Sequence, residues 1–139
     1  MDSSKKCVAV IDQSLPIGLI ANTAAILGCT LGKKIQKIVG EDVVDQDQHQ
    51  HLGIINTPLP ILAASKEQIK EIYQTASEEY KENMMLVGFS DLAQRCNSYE
   101  DYTKKMAGAF ANSLNYLGIC LYGNKKAINH LTGSLPTLK

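Results

Sequence analysis

The sequence predicts an α/β fold: a three-layer α-β-α arrangement around a mixed, roughly four-stranded sheet. Three observations carry this reading. Short apolar runs recur at Cys7 to Ile11, Ile54 to Ala63, Met84 to Phe89 and Asn115 to Tyr122. Segments with helical spacing of apolar residues separate them. Turn and cap residues punctuate the changes from one pattern to the other.

The elements follow in order. Cys7-Val8-Ala9-Val10-Ile11 is continuously apolar and closes at Asp12, as expected of a strand buried on both faces. A turn at Gln13-Ser14-Leu15-Pro16 leads into a helix from Ile17 to Leu31, with Gly28 and Gly32 expected to weaken its end. Residues 39–53 are polar and irregular and read as a loop. The run from Ile54 to Ala63 contains Pro58 and Pro60, which cannot donate to a ladder, so this strand belongs at an edge or carries a bulge. Ser65-Lys66-Glu67-Gln68 has the capping-box pattern, and Ile69, Ile72, Tyr73, Ala76 and Tyr80 form one helical face behind it. After Asn83, Met84 to Phe89 reads as a second buried strand. Ser98 precedes a helix whose face would be Tyr99, Tyr102, Met106 and Phe110. Asn115 to Tyr122 is the next strand, Gly123-Asn124 a turn, and Asn124 the cap of a short helix through Leu131 that Gly133 stops.

A chain of 139 residues fits one domain spanning 1–139, long enough to bury its own core. Lysine and arginine equal aspartate and glutamate at 14 each, so the net charge is zero and tRNA or other nucleic-acid binding has no support from charge. Lys33, Lys34 and Lys37, Lys104 with Lys105, and Lys125 with Lys126 read as solvated faces. Cys7, Cys29, Cys96 and Cys120 form no C-x-x-C pair, which fits reduced thiols. The apolar run after Lys6 is too short for a signal peptide, and no stretch approaches the roughly 20 apolar residues of a membrane span. A cytoplasmic protein with no membrane partner is expected.

Two polar sets stand out. Asp45-x-Asp47-x-His49-x-His51 places four metal-ligand types at every second position, on one side of an extended segment. The competing reading is a polar surface loop, because metal sites draw ligands from several elements, and no resident metal is expected. The second set is Asp12, Ser90, Asp91 and Tyr122 at strand ends, where open α/β sheets bind ligands, with the helix start near Gly18 offering amides to an anion. Turn and capping roles for Asp12 and Asp91 compete with that reading. No phosphate loop, dinucleotide fingerprint or nucleophile elbow is present, so no cofactor is expected. Arg95 beside Cys96 would favour a thiolate; a passive cysteine is the alternative.

Leu117-Gly118-Ile119, followed by a short helix and Leu131-Thr132-Gly133-Ser134-Leu135, resembles the end of type-2 peptidyl-tRNA hydrolases. Gly18-Leu19-Ile20-Ala21 resembles their Gly-Lys-Ile-Ala. The family known as "domain of unknown function 2000" is a closer match. It is similar around His51-x-Gly53-Ile54, along Pro58-Leu59-Pro60-Ile61-Leu62, and from Leu121-Tyr122-Gly123-Asn124-Lys125-Lys126 into Leu131 to Leu135. The resemblance implies the hydrolase fold. It does not carry over the hydrolase residues: Leu19 stands where the family has lysine, Asn22 to Leu27 contains no histidine, and Gly88-Phe89-Ser90-Asp91 replaces an Asp-Ala-Gly. The expected function is therefore binding of a small-molecule ligand, with Asp12, Asn22, His51, Asp91 and Tyr122 as lining candidates. The alternative is a hydrolase of peptidyl-tRNA or another acylated substrate, with Asp91 or His51 as base. A homodimer is compatible with a small α/β domain, although no sequence feature marks its interface.

Overall fold

A computed structural model of the chain describes residues 4–139. Its elements are β1 (Lys5–Asp12), α1 (Ile17–Lys34), β2 (Val43–Val44), β3 (Gln50–His51), β4 (Ile61–Ala64), α2 (Lys66–Glu79), β5 (Met84–Ser90), α3 (Asp91–Gln94), α4 (Tyr99–Ala107), β6 (Tyr116–Asn124) and α5 (Lys125–Thr132). The main sheet has the order β4-β1-β6-β5. β1 pairs with β4 in parallel and with β6 antiparallel, and β5 pairs antiparallel with β6. The predicted mixed four-stranded sheet is the one observed.

The three layers follow from the alternation of side chains along a strand. On one face Val8, Val10, Ile119 and Leu121 pack with Ile69 and Ala76 of α2 and Ile128 of α5. On the other, Cys7, Ala9 and Cys120 pack with Leu27 and Leu31 of α1. β1 is therefore covered on both sides, which is why its sequence is apolar without alternation. α1 runs through Gly28 and Gly32 to Lys34, because the buried Leu27 and Leu31 outweigh the weak propensity of those glycines. Gly118 lets α1 approach β6 closely. A Cβ there would lie 2.8 Å from Thr23 Cγ2 and 3.1 Å from the Val10 carbonyl oxygen.

The capping box of α2 forms as predicted: Ser65 Oγ accepts from the Gln68 amide at 3.1 Å, and Gln68 Oε1 accepts from the Ser65 amide at 2.9 Å. The proline strand is at an edge, but it is shorter than expected. Pro58 and Pro60 lie before it, and only Ile61–Ala64 joins β1. The C-terminal tail shields its outer side, with Ala63 donating to the Pro136 carbonyl at 2.8 Å and Leu138 donating to that of Ile61 at 2.9 Å. β5 forms the opposite edge. Its first five residues are half-buried rather than buried, since only one neighbour strand covers them. α4 ends at Ala107, so the predicted face through Phe110 is cut short, and both Tyr99 and Phe110 are exposed.

The segment expected to be a loop instead forms a small hairpin. Val43 pairs with His51 and Val44 with Gln50. Asp45 makes the turn: its Oδ1 accepts from the Asp47 and His49 amides, and Gln48 adopts φ 68°. Among the described residues, no helix is long and apolar enough to cross a membrane.

Candidate functional site

The strand directions divide the sheet into two ends. β1, β4 and β5 run the same way, so Asp12, Ala64 and Ser90 close one end, where β6 begins. β6 runs back, and its Tyr122 stands opposite Cys7 and Met85 at the other end. Tyr122 is thus separated from the strand-end group in which the sequence placed it. The reason is long-range: apolar runs do not encode strand direction.

At the first end the polar residues serve the backbone. Asp12 Oδ1 accepts from the Ser14 amide at 3.0 Å and from Ser14 Oγ at 2.7 Å, which fixes the turn into α1. Ser90 Oγ accepts from the Ala93 amide and caps α3. Asp91 sits 3.8 Å from Arg95 Nη1, and its amide donates to the Asn115 carbonyl at 2.8 Å. Arg95 is thus engaged with Asp91, while Cys96 Sγ donates to the Leu92 carbonyl at 3.2 Å. Asn22 lies exposed on α1. Leu19 packs against the α1-side core. None of the three main clefts is lined by Asp12, Asn22, His51 or Asp91.

The Asp45, Asp47, His49, His51 set does not form the one-sided array expected of an extended segment, because residues 45–48 turn. Asp45 Oδ2 lies 2.7 Å from His51 Nε2 but 4.0 Å from His49 Nδ1. The bond to His51 and the amides of His49 and Asp47 hold the Asp45 carboxyl below its usual value of 3.8. Among the described residues no group of three or more His, Cys, Asp or Glu side chains is placed to hold a metal ion. Asp45 therefore acts as the cap of the hairpin tip.

A cleft of about 1020 Å³ opens at the Tyr122 end. Lys5 enters from the start of β1, Ile35 from the end of α1, and Tyr80, Glu82 and Asn83 from the turn after α2. Met84 and Met85 come from β5, Tyr122, Gly123 and Asn124 from β6, and Lys126, Ala127 and His130 from α5. The first amides of α5 are already satisfied. Lys125 donates to the Ser4 carbonyl at 2.8 Å, and Lys126 and Ala127 donate to Asn124 Oδ1 at 2.9 and 3.4 Å. Any charge in this cleft must therefore be met by side chains, not by the helix terminus. Within the described residues neither Lys5 nor Lys126 has an ion pair. Sequence reasoning missed Lys5, Glu82, Met84 and Met85 and set Lys126 aside as a solvated face. Lys5 meets Asn124 only through the antiparallel pairing of β1 with β6, which has no local sequence signal.

A second cleft, about 450 Å³, lies between α1 and β5 and holds no charged residue; Thr30, Cys96, Tyr99 and Tyr102 are among its walls. No buried side-chain nitrogen or oxygen among the described residues lacks a hydrogen-bond partner.

Comparison with curated proteins finds no match. A solved structure of a protein of unknown function, Atu0240 from Agrobacterium tumefaciens strain C58, has a similar fold. The TM-score is 0.87 at 14% sequence identity, over 98% of this chain and 98% of that one. The model of the family described as "Protein of unknown function (DUF2000)" matches residues 5–139, so the chain belongs to the DUF2000 family.

Proposed function

We propose that the chain is a small-ligand-binding protein of type-2 peptidyl-tRNA hydrolase-like fold, working without the hydrolase residues, and that its ligand sits in the Tyr122 cleft. One observation carries this reading. Polar side chains from three elements and one connection converge on a single cleft of about 1020 Å³, at the upper end of the range for small-molecule sites. At the opposite end, Asp12, Ser90 and Asp91 are tied into turns and caps. Leu19, an apolar side chain on the core side of α1, supplies no charge there, which supports a binding role over a hydrolytic one. Four free cysteines fit a cytoplasmic setting.

The test is a thermal-shift screen of a metabolite panel beside a titration with tRNA. A compound that raises Tm, with the shift reduced in Tyr122→Ala, supports the reading. Tight tRNA binding with no response to any metabolite contradicts it.

A second reading draws on the His51–Asp45 contact at 2.7 Å, which orients an imidazole as a general base requires. It would make the chain a hydrolase of peptidyl-tRNA or another acylated substrate. His51 stands on an exposed hairpin and lines none of the three clefts, so the binding reading is preferred. Turnover of a model peptidyl-tRNA, lost in His51→Gln, would reverse that preference.

A further inference from the structure

Resting on the ligand reading above, we propose that the Tyr122 cleft takes a small organic anion with an apolar body, its charge held by Lys5 and Lys126 and its body laid on Met85 and Ile35. The chain is neutral overall, yet two lysines and one glutamate, Glu82, line this cleft. Four other lysines have side-chain partners on the surface. Lys6 donates to Asn129 Oδ1, Lys70 to the Asn112 carbonyl, and Lys104 and Lys105 pair with Glu100 and Asp101. Within the described residues, the ammonium groups of Lys5 and Lys126 have neither an ion pair nor a hydrogen bond. Lys5 is half-buried and Lys126 exposed. Two unpartnered cations in one concavity favour an incoming anion.

The floor argues for the apolar part. Met85 and Ile35, on the α1 face of the sheet, are half-buried apolar side chains of the cleft, while Met84, next to Met85 on β5, packs on the opposite face; thioethers adapt to irregular shapes. The α5 amides are already bonded to Ser4 and Asn124, so the site lacks the amide cradle that selects phosphate geometry. Recognition then depends on charge plus apolar area, and a carboxylate or sulfonate on an aromatic or aliphatic body satisfies it.

A matched pair of dyes tests this: anilinonaphthalene sulfonate and its uncharged counterpart phenylnaphthylamine, titrated by fluorescence into the full chain. The double variant Lys5→Met/Lys126→Met should weaken the sulfonate about tenfold, as two partly exposed charge contacts would, and change the neutral dye less than about twofold. Lys5→Arg/Lys126→Arg should retain sulfonate binding. Ala127→Leu, which fills part of the cleft, should weaken both dyes. All variants are compared at matched cooperative unfolding, so that dye uptake by a loosened core is not scored as binding. If the lysine variants leave the sulfonate unchanged while Ala127→Leu weakens both dyes, the anion inference is overturned and the cleft stands. If Ala127→Leu also has no effect, or neither dye binds the wild type, the cleft reading falls with it.

Discussion

Gly88→Ala should destabilise the chain through one contact. Tyr73 of α2 and Tyr116 of β6 stack with ring centroids 4.3 Å apart and planes at 21°. Gly88, on β5, lies under that stack. A Cβ there would fall 2.7 Å from two ring carbons of Tyr116 and 3.1 Å from Tyr73 Cε2. Tyr116 is buried, and burial first, then Tyr73 beside it, pushes its phenol well above the usual value. The ring therefore has little room to retreat. Overpacking of this kind costs about 1–3 kcal/mol, and displacing the stack adds about 0.5–1.5 kcal/mol. A loss of about 2–3 kcal/mol is expected. For a chain of 139 residues, each kcal/mol moves Tm by about 3–4 °C, so Gly88→Ala should melt about 6–12 °C lower. Calorimetry measures this directly. In a Tyr116→Ala background the added methyl has space, and the penalty should shrink by at least about 1 kcal/mol, a coupling a double-mutant cycle resolves. A Gly88→Ala protein melting within about 1 °C of wild type would refute the packing argument.

Other expectations follow from the same contacts. Burial raises the Cys120 thiol to about 12 and also pushes Cys7 up, whereas Cys29 is exposed, so a thiol reagent near pH 8 should label Cys29 first and Cys7 and Cys120 only on unfolding. Because both buried thiols ionise at lower pH when unfolded, stability should fall as pH rises from about 9 towards 12; a flat profile in urea melts would contradict this. Asp45 has a lowered pKa, so its hold on the hairpin tip is full above 3.8 and is lost as pH falls through the lower folded value. Amide exchange at Asp47 and His49, corrected for intrinsic rates, should accelerate in Asp45→Ala and towards low pH in the wild type. Ser65→Ala removes half of the capping box of α2 and should cost about 1 kcal/mol in urea unfolding.

Local chemistry made much of the fold legible. The unbroken apolar run at Cys7 to Ile11 reads as a strand covered on both faces, and β1 is that strand. Ser65 with Gln68, and Asn124 before Lys125, mark helix starts that the structure keeps. Pro58 and Pro60 point to an edge strand or a bulge; the strand lies at an edge and begins only after them. What escaped the sequence depends on distant partners. The Asp45 to His51 pattern looks like a ligand array until Asp45 turns back to bond the His49 amide. Val43 and Val44 become strand residues only because Gln50 and His51 return beside them. Tyr122 does line a cleft, but with other neighbours than the strand-end residues. Asp12 and Asp91 lie beyond its reach because β6 runs antiparallel to β1 and β5, while Lys5 and Met85 are brought beside it by register.

The central claim is that a ligand occupies the Tyr122 end of the sheet. Its most direct test is a backbone amide NMR map of the chain, titrated with a compound that raises Tm in the metabolite screen. The account predicts shift changes clustered at Lys5, Met84, Met85 and residues 122–127, with Asp12, Asn22 and Asp91 unmoved. Changes clustered instead at Asp12, Asn22 and Asp91 would contradict it and return the site to the carboxyl ends of the strands.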